Sequence, residues 1–319
     1  MPYNNVISRS GAAALIPEDY SKEIIKRLPQ ASAAIALFRH VTMSRAQQRM
    51  PIMAALPVAY FVNGDTGLKQ TTEAAWSNKY LNAEEIACIV PIPETVLDDA
   101  AFDVWAEIQP FIIEAVGRAL DAAVFFGTNK PASWPVSISK EAETKGNIVK
   151  AGTAATAKDP GVIMSDISNL FGLVEAEGFD INGIIAHRRF KGLLRNARGT
   201  TGEQLGAMDP GTEVEPSPGS LYGVGVTYPL RGLWPVGAEK IPEMIVGDFA
   251  QGILGIRQDL TWKVLDQAVL TDETGKVTYN LAQQDMVGLR VVARFAWEVA
   301  NVPQPEASAN AYPFGVLTN

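Results

Sequence analysis

Residues 91–135, PIPETVLDDAAFDVWAEIQPFIIEAVGRALDAAVFFGTNKPASWP, hold the pattern around which the rest of the chain is read. Leu97, Ala101, Val104, Ile108, Ile112, Ala115, Ala119, Ala123 and Phe126 recur at three- and four-residue intervals, the spacing of one helical face. Asp98 and Asp99 stand where a helix N-terminus favours carboxylates, and Gly127 stands where a helix stops. The spacing predicts a helix over about 98–127, roughly 43 Å long at ~1.5 Å per residue, with Pro110 kinking it or marking where its regular part begins. A compact chain of this size has a radius of gyration near ~20 Å, so the helix is a spine across most of the molecule.

Just upstream, residues 44–93 read as two long strands around a turn-rich tip. The ascending run is 49–62, the tip is NGDTGLKQTTEA, and the descending run is 76–92, ending in Ile86, Cys88, Val90 and Ile92 at period two. Pro51 and Pro57 each remove a ladder donor and confine the ascending strand to an edge. A two-stranded ribbon is only marginally stable alone in water, so a hairpin this long needs another surface to lie against. Before it, the first 30 residues read as an arm: Pro17, Glu18 and Asp19 open a helix over about 18–28, while the segment before it is too poor in large apolar groups to fold alone.

Downstream, a polar stretch over 128–158 contains short strand candidates at 136–138 and 147–149. A helix over about 159–177 follows, then a strand at 181–186, a short helix at 188–195 and an acid-, glycine- and proline-rich loop at 199–220. Further strands are expected at 221–226, 244–246, 252–258 and 261–265, and a last apolar run covers 286–299. Strands and helices interleave without a regular βαβ repeat, which places the chain in the α+β class.

Composition narrows the function. One cysteine, Cys88, among 319 residues cannot form an internal disulfide, and it cannot build a thiolate-held zinc or iron–sulfur site. With 27 Lys+Arg against 35 Asp+Glu, the net charge of −8 argues against general binding to a phosphate backbone. No apolar run approaches the ~20 residues that cross a bilayer, and no signal-peptide layout opens the chain, so a soluble intracellular product is expected. A hydrophobic fraction of 47% is enough for a core.

Catalytic patterns are scarce. YGVGVTY at 222–228 lacks the third glycine and the following helix of a dinucleotide loop, and reads better as glycines in a strand or bulge. His40 and His187 are too far apart in sequence for local metal-ligand spacing, and the acidic pairs read as caps or solvated carboxylates. No catalytic, cofactor-binding or metal-ligating residue is assigned. The densest basic cluster, Arg188, Arg189, Lys191, Arg195 and Arg198, reads equally as a solvated helix face and as a surface that meets acidic groups of another subunit.

The order of these parts resembles the major capsid proteins of tailed bacteriophages, the HK97-type fold. The likeness runs through the quoted 91–135 segment, GIIAHRRFKGLLRNARGTTGEQL, GSLYGVGVTYP, IVGDFAQGILGIRQDLTWKVL and DMVGLRVVARFAWEVANV, in that order. It implies an N-terminal arm (1–43), an extended hairpin or E-loop (44–83), a peripheral domain with the spine helix (84–158 and 280–319) and an axial domain (159–279). It also implies that Ile52, Leu56, Tyr60, Phe61, Lys69, Trp76, Tyr80, Arg188, Arg189 and Arg195 meet neighbouring subunits. Some members weld their shells with an isopeptide bond between a hairpin lysine and an asparagine, aided by a glutamate. Lys69 is suitably placed, but the acceptor position falls near Gln284 or Asp285 and the glutamate near Val291 or Val292, so a non-covalent shell is expected.

The implied partners are further copies of the chain in hexamers and pentamers, a separate scaffolding protein, a portal and enclosed double-stranded DNA held without sequence specificity, with room for a decoration protein. With Met1 as the encoded start, the arm is reached too soon for a fused scaffold. A virion location, with assembly in the host cytoplasm, follows. An encapsulin-type compartment shell is the alternative within the same fold, and an α+β metabolic enzyme the alternative outside it.

Overall fold

The computed structural model describes residues 32–55, 57, 59, 61–62, 71–72, 74–95, 97, 104–151, 162–197, 219–229, 232–235, 242–272, 274–302 and 311–319. The expected arm helix over 18–28, most of the hairpin tip (63–70 and 73), the Asp98–Asp99 cap and the 199–218 loop lie outside these residues.

The helices are α1 (Ala33–Leu37), α2 (Val104–Asp121), α3 (Ile138–Lys145), α4 (Val162–Ala176) and α5 (Phe190–Asn196). The spine is α2, with Pro110 inside it, and it ends in a π-turn over Ala122–Phe126 closed by Gly127 at φ 75°. Its apolar stripe, Ile112, Ile113, Val116 and Leu120, is buried in the largest core cluster.

Two sheets share that cluster. The first has four strands in the order β1 (Arg39–Thr42), β10 (Gly252–Leu265), β13 (Met286–Val299) and β4 (Glu84–Pro93). Strand β13 runs antiparallel to both neighbours and sends Val287, Leu289, Val291, Ala293, Phe295, Trp297 and Val299 into the core with α2. The alternate residues, among them Arg290, Val292, Arg294 and Glu298, take the other face. Pro91 and Pro93 sit on β4, an edge strand, where a missing donor is tolerated.

The second sheet has six strands in the order β5 (Ile148–Lys150), β14 (Phe314–Thr318), β9 (Pro242–Gly247), β6 (Gly183–Ala186), β8 (Val224–Thr227) and β7 (Ser220–Leu221). Ile185, Ile245, Phe314 and Val316 enter the core shared with α2. Ile184, Ala186, Met244, Val246 and Leu317 enter a second cluster with Ile167, Leu170 and Val174 of α4 and Phe190 and Leu194 of α5. Both faces are covered, so its central strands read as unbroken apolar runs. Packing is closest at Gly247, where an added Cβ would lie 2.2 Å from the Pro313 carbonyl oxygen.

Two antiparallel ribbons complete the fold: β2 (Gln47–Ala55) with β3 (Ala75–Asn82), and β11 (Val269–Thr271) with β12 (Val277–Asn280). The fold is α+β, as expected, with local corrections. The descending hairpin run is two strands, because the chain changes partner at Ala83: β3 pairs with β2, and β4 pairs with β13. The strand candidate at 136–138 is instead the approach to α3, which Ser137 opens in extended geometry and Gly146 closes at φ 94°. The strands expected at 252–258 and 261–265 are one, β10, with register shifts between Ile256 and Thr261. The segment 221–226 is a hairpin in which Tyr222 (φ 52°) and Gly223 (φ 81°) take the two left-handed positions of a tight turn.

The pairings also cross the borders drawn from sequence. Strand β10, expected in the axial region, belongs to the four-stranded sheet with β4 and β13, and so does β1 from the arm. Strands β14 and β5, expected in the peripheral region, belong to the other sheet. Sheet membership is a long-range property that runs of local pattern do not carry.

Candidate assembly interfaces

The register of the β2–β3 ribbon sorts its side chains into two faces. Leu81, Lys79 and Ser77 lie opposite Gln48, Met50 and Ile52, and Tyr80, Asn78 and Trp76 lie opposite Arg49, Pro51 and Met53. The first face meets the body of the protomer. Leu81 is fully buried with Met43, Ala83, Ile253 and Ala296, and Lys79 Nζ reaches Glu298 Oε1 on β13 at 3.1 Å. The second face carries Trp76 at 66% and Tyr80 at 48% exposure, and beyond the ribbon Phe61 is fully exposed. Fully burying an aromatic side chain contributes roughly 1.5–3 kcal/mol, and the protomer leaves most of that unrealised on this face.

Of the residues expected at subunit contacts, Trp76, Tyr80 and Phe61 are therefore open. Ile52 is not: it is 9% exposed on the face turned to the body, because period-two alternation puts it opposite in sense to Met53 and Trp76. Leu56, Tyr60 and Lys69 lie outside the described residues. Two exposed aromatics were not among the expected contacts: Tyr222, 57% exposed in the tight turn, and Phe111. Phe111, 67% exposed on α2, stands off the apolar stripe beside Pro110, and that off-stripe position was the available signal.

The root of the ribbon is held by the loop after the spine. Trp134 Nε1 donates to the Asn82 carbonyl at 3.0 Å, Asn82 Nδ2 donates to the Ser133 carbonyl at 3.2 Å, and Ser133 Oγ donates to Glu84 Oε1 at 2.5 Å. Gln47 Nε2 donates to Asn82 Oδ1 at 2.9 Å and ties the two strands. The ribbon's direction is thus set by the spine-helix region.

The base of the arm is fixed to the spine by a buried carboxylate that sequence reading passed over. Asp121, the last residue of α2, is fully buried. Its oxygens accept from Ser32 Oγ at 2.6 Å, the Ala33 amide at 2.8 Å and the Ala34 amide at 3.0 Å, satisfying the opening of α1. Burial pushes this carboxyl from 3.8 up to about 6, against the lowering effect of those three hydrogen bonds. The chain then leaves α1 as β1, parallel to β10.

The basic cluster is partly accounted for inside the protomer. Arg189 pairs with Glu243 of β9, a carboxylate nearly closed to solvent, and Lys191 Nζ stands 4.1 Å from the centre of the Tyr228 ring. Arg189 therefore has a counter-charge of its own. Arg188 is exposed, and the side chain of Arg195, on α5, lies outside the described residues. His187 packs its ring on Trp234, and burial, with Arg189 second, holds its pKa below the ordinary 6.5. Among the described residues no group of three or more His, Cys, Asp and Glu could hold a metal ion, and no helix is long and apolar enough to cross a membrane.

The chain is similar throughout to proteins of one kind. The family model for the phage capsid family matches residues 12–303. The major capsid protein of Staphylococcus phage 80alpha is 24% identical over 305 residues, covering 93% of this chain and 86% of that one. A solved structure from Microbacterium phage Oxtober96 is 35% identical, with a TM-score of 0.77 over 90% of this chain and 91% of that one. Another, from Mycobacterium phage Bobi, is 32% identical with a TM-score of 0.75 over 98% of each chain. The architecture is the HK97-type capsid fold, and the chain belongs to the phage capsid family.

Proposed function

We propose that this chain is the major capsid protein of a tailed bacteriophage, which self-assembles through hexamers and pentamers into the icosahedral head shell around the DNA genome. The observation that carries the reading is the β2–β3 ribbon, which is rooted firmly in the protomer yet turns Trp76 and Tyr80 to solvent. An interface between copies supplies the cover that such a face lacks, since assembly interfaces are apolar and aromatic at their centre. The chain's role is structural rather than enzymatic. Its location is the virion, after assembly in the host cytoplasm.

Within the shell, the half built on α2 and the four-stranded sheet takes the periphery, and the half built on the six-stranded sheet surrounds the symmetry axes. Phe61, Trp76 and Tyr80 meet a neighbouring copy, with Leu56, Tyr60 and Lys69 on the same hairpin, and Arg188, just before α5, and Arg195, on it, do so beside the six-stranded sheet. A separate scaffolding protein and a portal take part in assembly, and a decoration protein has the outer surface available. The net charge of −8 suits a container that does not hold its DNA tightly. The shell is non-covalent: Val291, in the core, and Val292, on the outer face, occupy the positions where a cross-linking glutamate is expected. The encapsulin-type alternative is not favoured, since the named relatives are phage proteins.

Negative-stain imaging of the expressed protein, with a nucleic-acid assay and a denaturing gel of the same particles, tests this reading. Polyhedral shells or capsomers, DNA inside mature particles and a single band at the monomer mass are expected. Small globules overturn the function, a cargo protein without nucleic acid points to a compartment, and a ladder of multimers contradicts the non-covalent shell.

A further inference from the structure

Among the described residues, the outer face of the four-stranded sheet is covered at both ends and bare between them. At one end Leu281, fully buried, reaches over Gly288 to within 3.1 Å of where a Cβ would stand. At the other, Met43 and Leu81 close over Ala296 in the ribbon-root cluster. Between them lie three rows across β10, β13 and β4: Lys263, Arg290 and Ile89; Thr261, Val292 and Ala87; Gln258, Arg294 and Glu85.

The first row is electrostatically unfavourable as it stands. Lys263 and Arg290 are directly opposite across strands, both exposed, and like charges so placed are destabilising. Among the described residues no salt bridge reaches either one. Arg294 differs in having a carboxylate residue, Glu85, rather than a second cation as a register neighbour, although no salt bridge among the described residues joins the two. Beside the basic pair lie the apolar Ile89, at 40% exposure, Ala87 and the half-buried Val292, while Gln258 donates to Thr261 Oγ1 at 3.0 Å.

We infer that this bare basic row, centred on Lys263 and Arg290, is a seat for carboxylates of a second copy of this chain. The inference rests on the shell reading, in which each copy has neighbours in equal supply. Each copy brings a surplus of acid, 35 Asp+Glu against 27 Lys+Arg, so charge complementarity favours the chain itself as occupant. Carboxylates accepted there relieve the like-charge pair, and the apolar floor takes the occupant's uncharged side chains.

A zero-length carbodiimide, which joins an amine to a carboxylate in contact with it, tests the seat on shells made from equal parts of normal and 15N-labelled chain. Mass spectrometry should find Lys263 in cross-linked peptides of mixed label, and Lys263→Arg, which keeps the charge and removes the amine, should abolish them while shells persist. Shells that form but yield Lys263 only in same-label links, or unlinked, overturn the seat and leave the shell reading intact. Failure to form shells at all counts against that reading instead. The double variant Lys263→Gln/Arg290→Gln should fold normally and should lower the dissociation temperature of DNA-free shells. An effect confined to DNA-filled shells, indicating phosphate, or one seen only with a second protein present, overturns the proposal.

Discussion

The two sheets of this protein differ in how much of themselves they cover. The six-stranded sheet is enclosed, with α2 and its core on one side and α4 and α5 on the other. The four-stranded sheet is enclosed only toward α2; its other face, and the ribbon that springs from its edge, carry Arg290, Lys263, Trp76 and Tyr80 into solvent. Buried residues of both sheets therefore decide whether the subunit folds, and the proposed function assigns the meeting of folded subunits to the open face of the second and to its ribbon.

Substitution on the enclosed side should give the largest effect. In Gly247→Ala the new methyl would overlap the Pro313 carbonyl and Phe314 Cδ1, 2.2 Å and 2.6 Å away, and the backbone must shift. We expect a loss of about 3 kcal/mol, read by urea denaturation of dissociated subunits. An unchanged midpoint would show that the covered sheet is looser than described.

At the junction of arm and spine, Asp121→Ala should cost about 2–3 kcal/mol by leaving the Ser32 hydroxyl and the Ala33 and Ala34 amides without an acceptor. Its pH dependence has a definite sign. The carboxyl is raised from 3.8 to about 6 on folding, so the folded state holds the proton more tightly. The stability this contributes is complete below about pH 4 and is lost as pH rises through about 6. Asp121→Asn should remove that slope, and a slope that survives in a pH series of denaturation midpoints would contradict the burial of this group.

On the open side, Trp76→Ala/Tyr80→Ala should leave subunit stability within about 1 kcal/mol, since both side chains stay largely open in the protomer. Assembly should weaken by roughly 30-fold or more in subunit concentration, the effect of losing about 2 kcal/mol of interface energy. Light scattering against concentration would read it. Smallest should be Lys79→Ala, because its ion pair with Glu298 is 41% exposed on the lysine side; less than about 1 kcal/mol is expected from thermal denaturation.

Much of the four-stranded sheet was legible from sequence, since 286–299 announces itself by length and hydrophobicity and the spine by its 3.6-residue stripe. Which strands share a sheet was not, because β10 and β14 join partners by contacts between distant segments that no local pattern encodes. Helix α3 was missed because it is short and charged, offering only Ile138 and Ala142 to a core. At the interface, Trp76 and Tyr80 stood out as large apolar groups flanking turns. Ile52 looked the same in sequence, and only the register, which pairs it with Ser77, puts it on the other face. Asp121 gave no warning, because a carboxylate at a helix end is ordinarily a solvated residue.

The central claim is that the open ribbon face closes only between copies. Hydroxyl-radical footprinting of assembled shells and of dissociated subunits, read residue by residue by mass spectrometry, tests it directly. Trp76 and Tyr80 should be strongly oxidised in the free subunit and protected in the shell, while Trp134 and Trp297, buried in the protomer, stay protected in both. Equal oxidation of Trp76 in the two states would contradict the account.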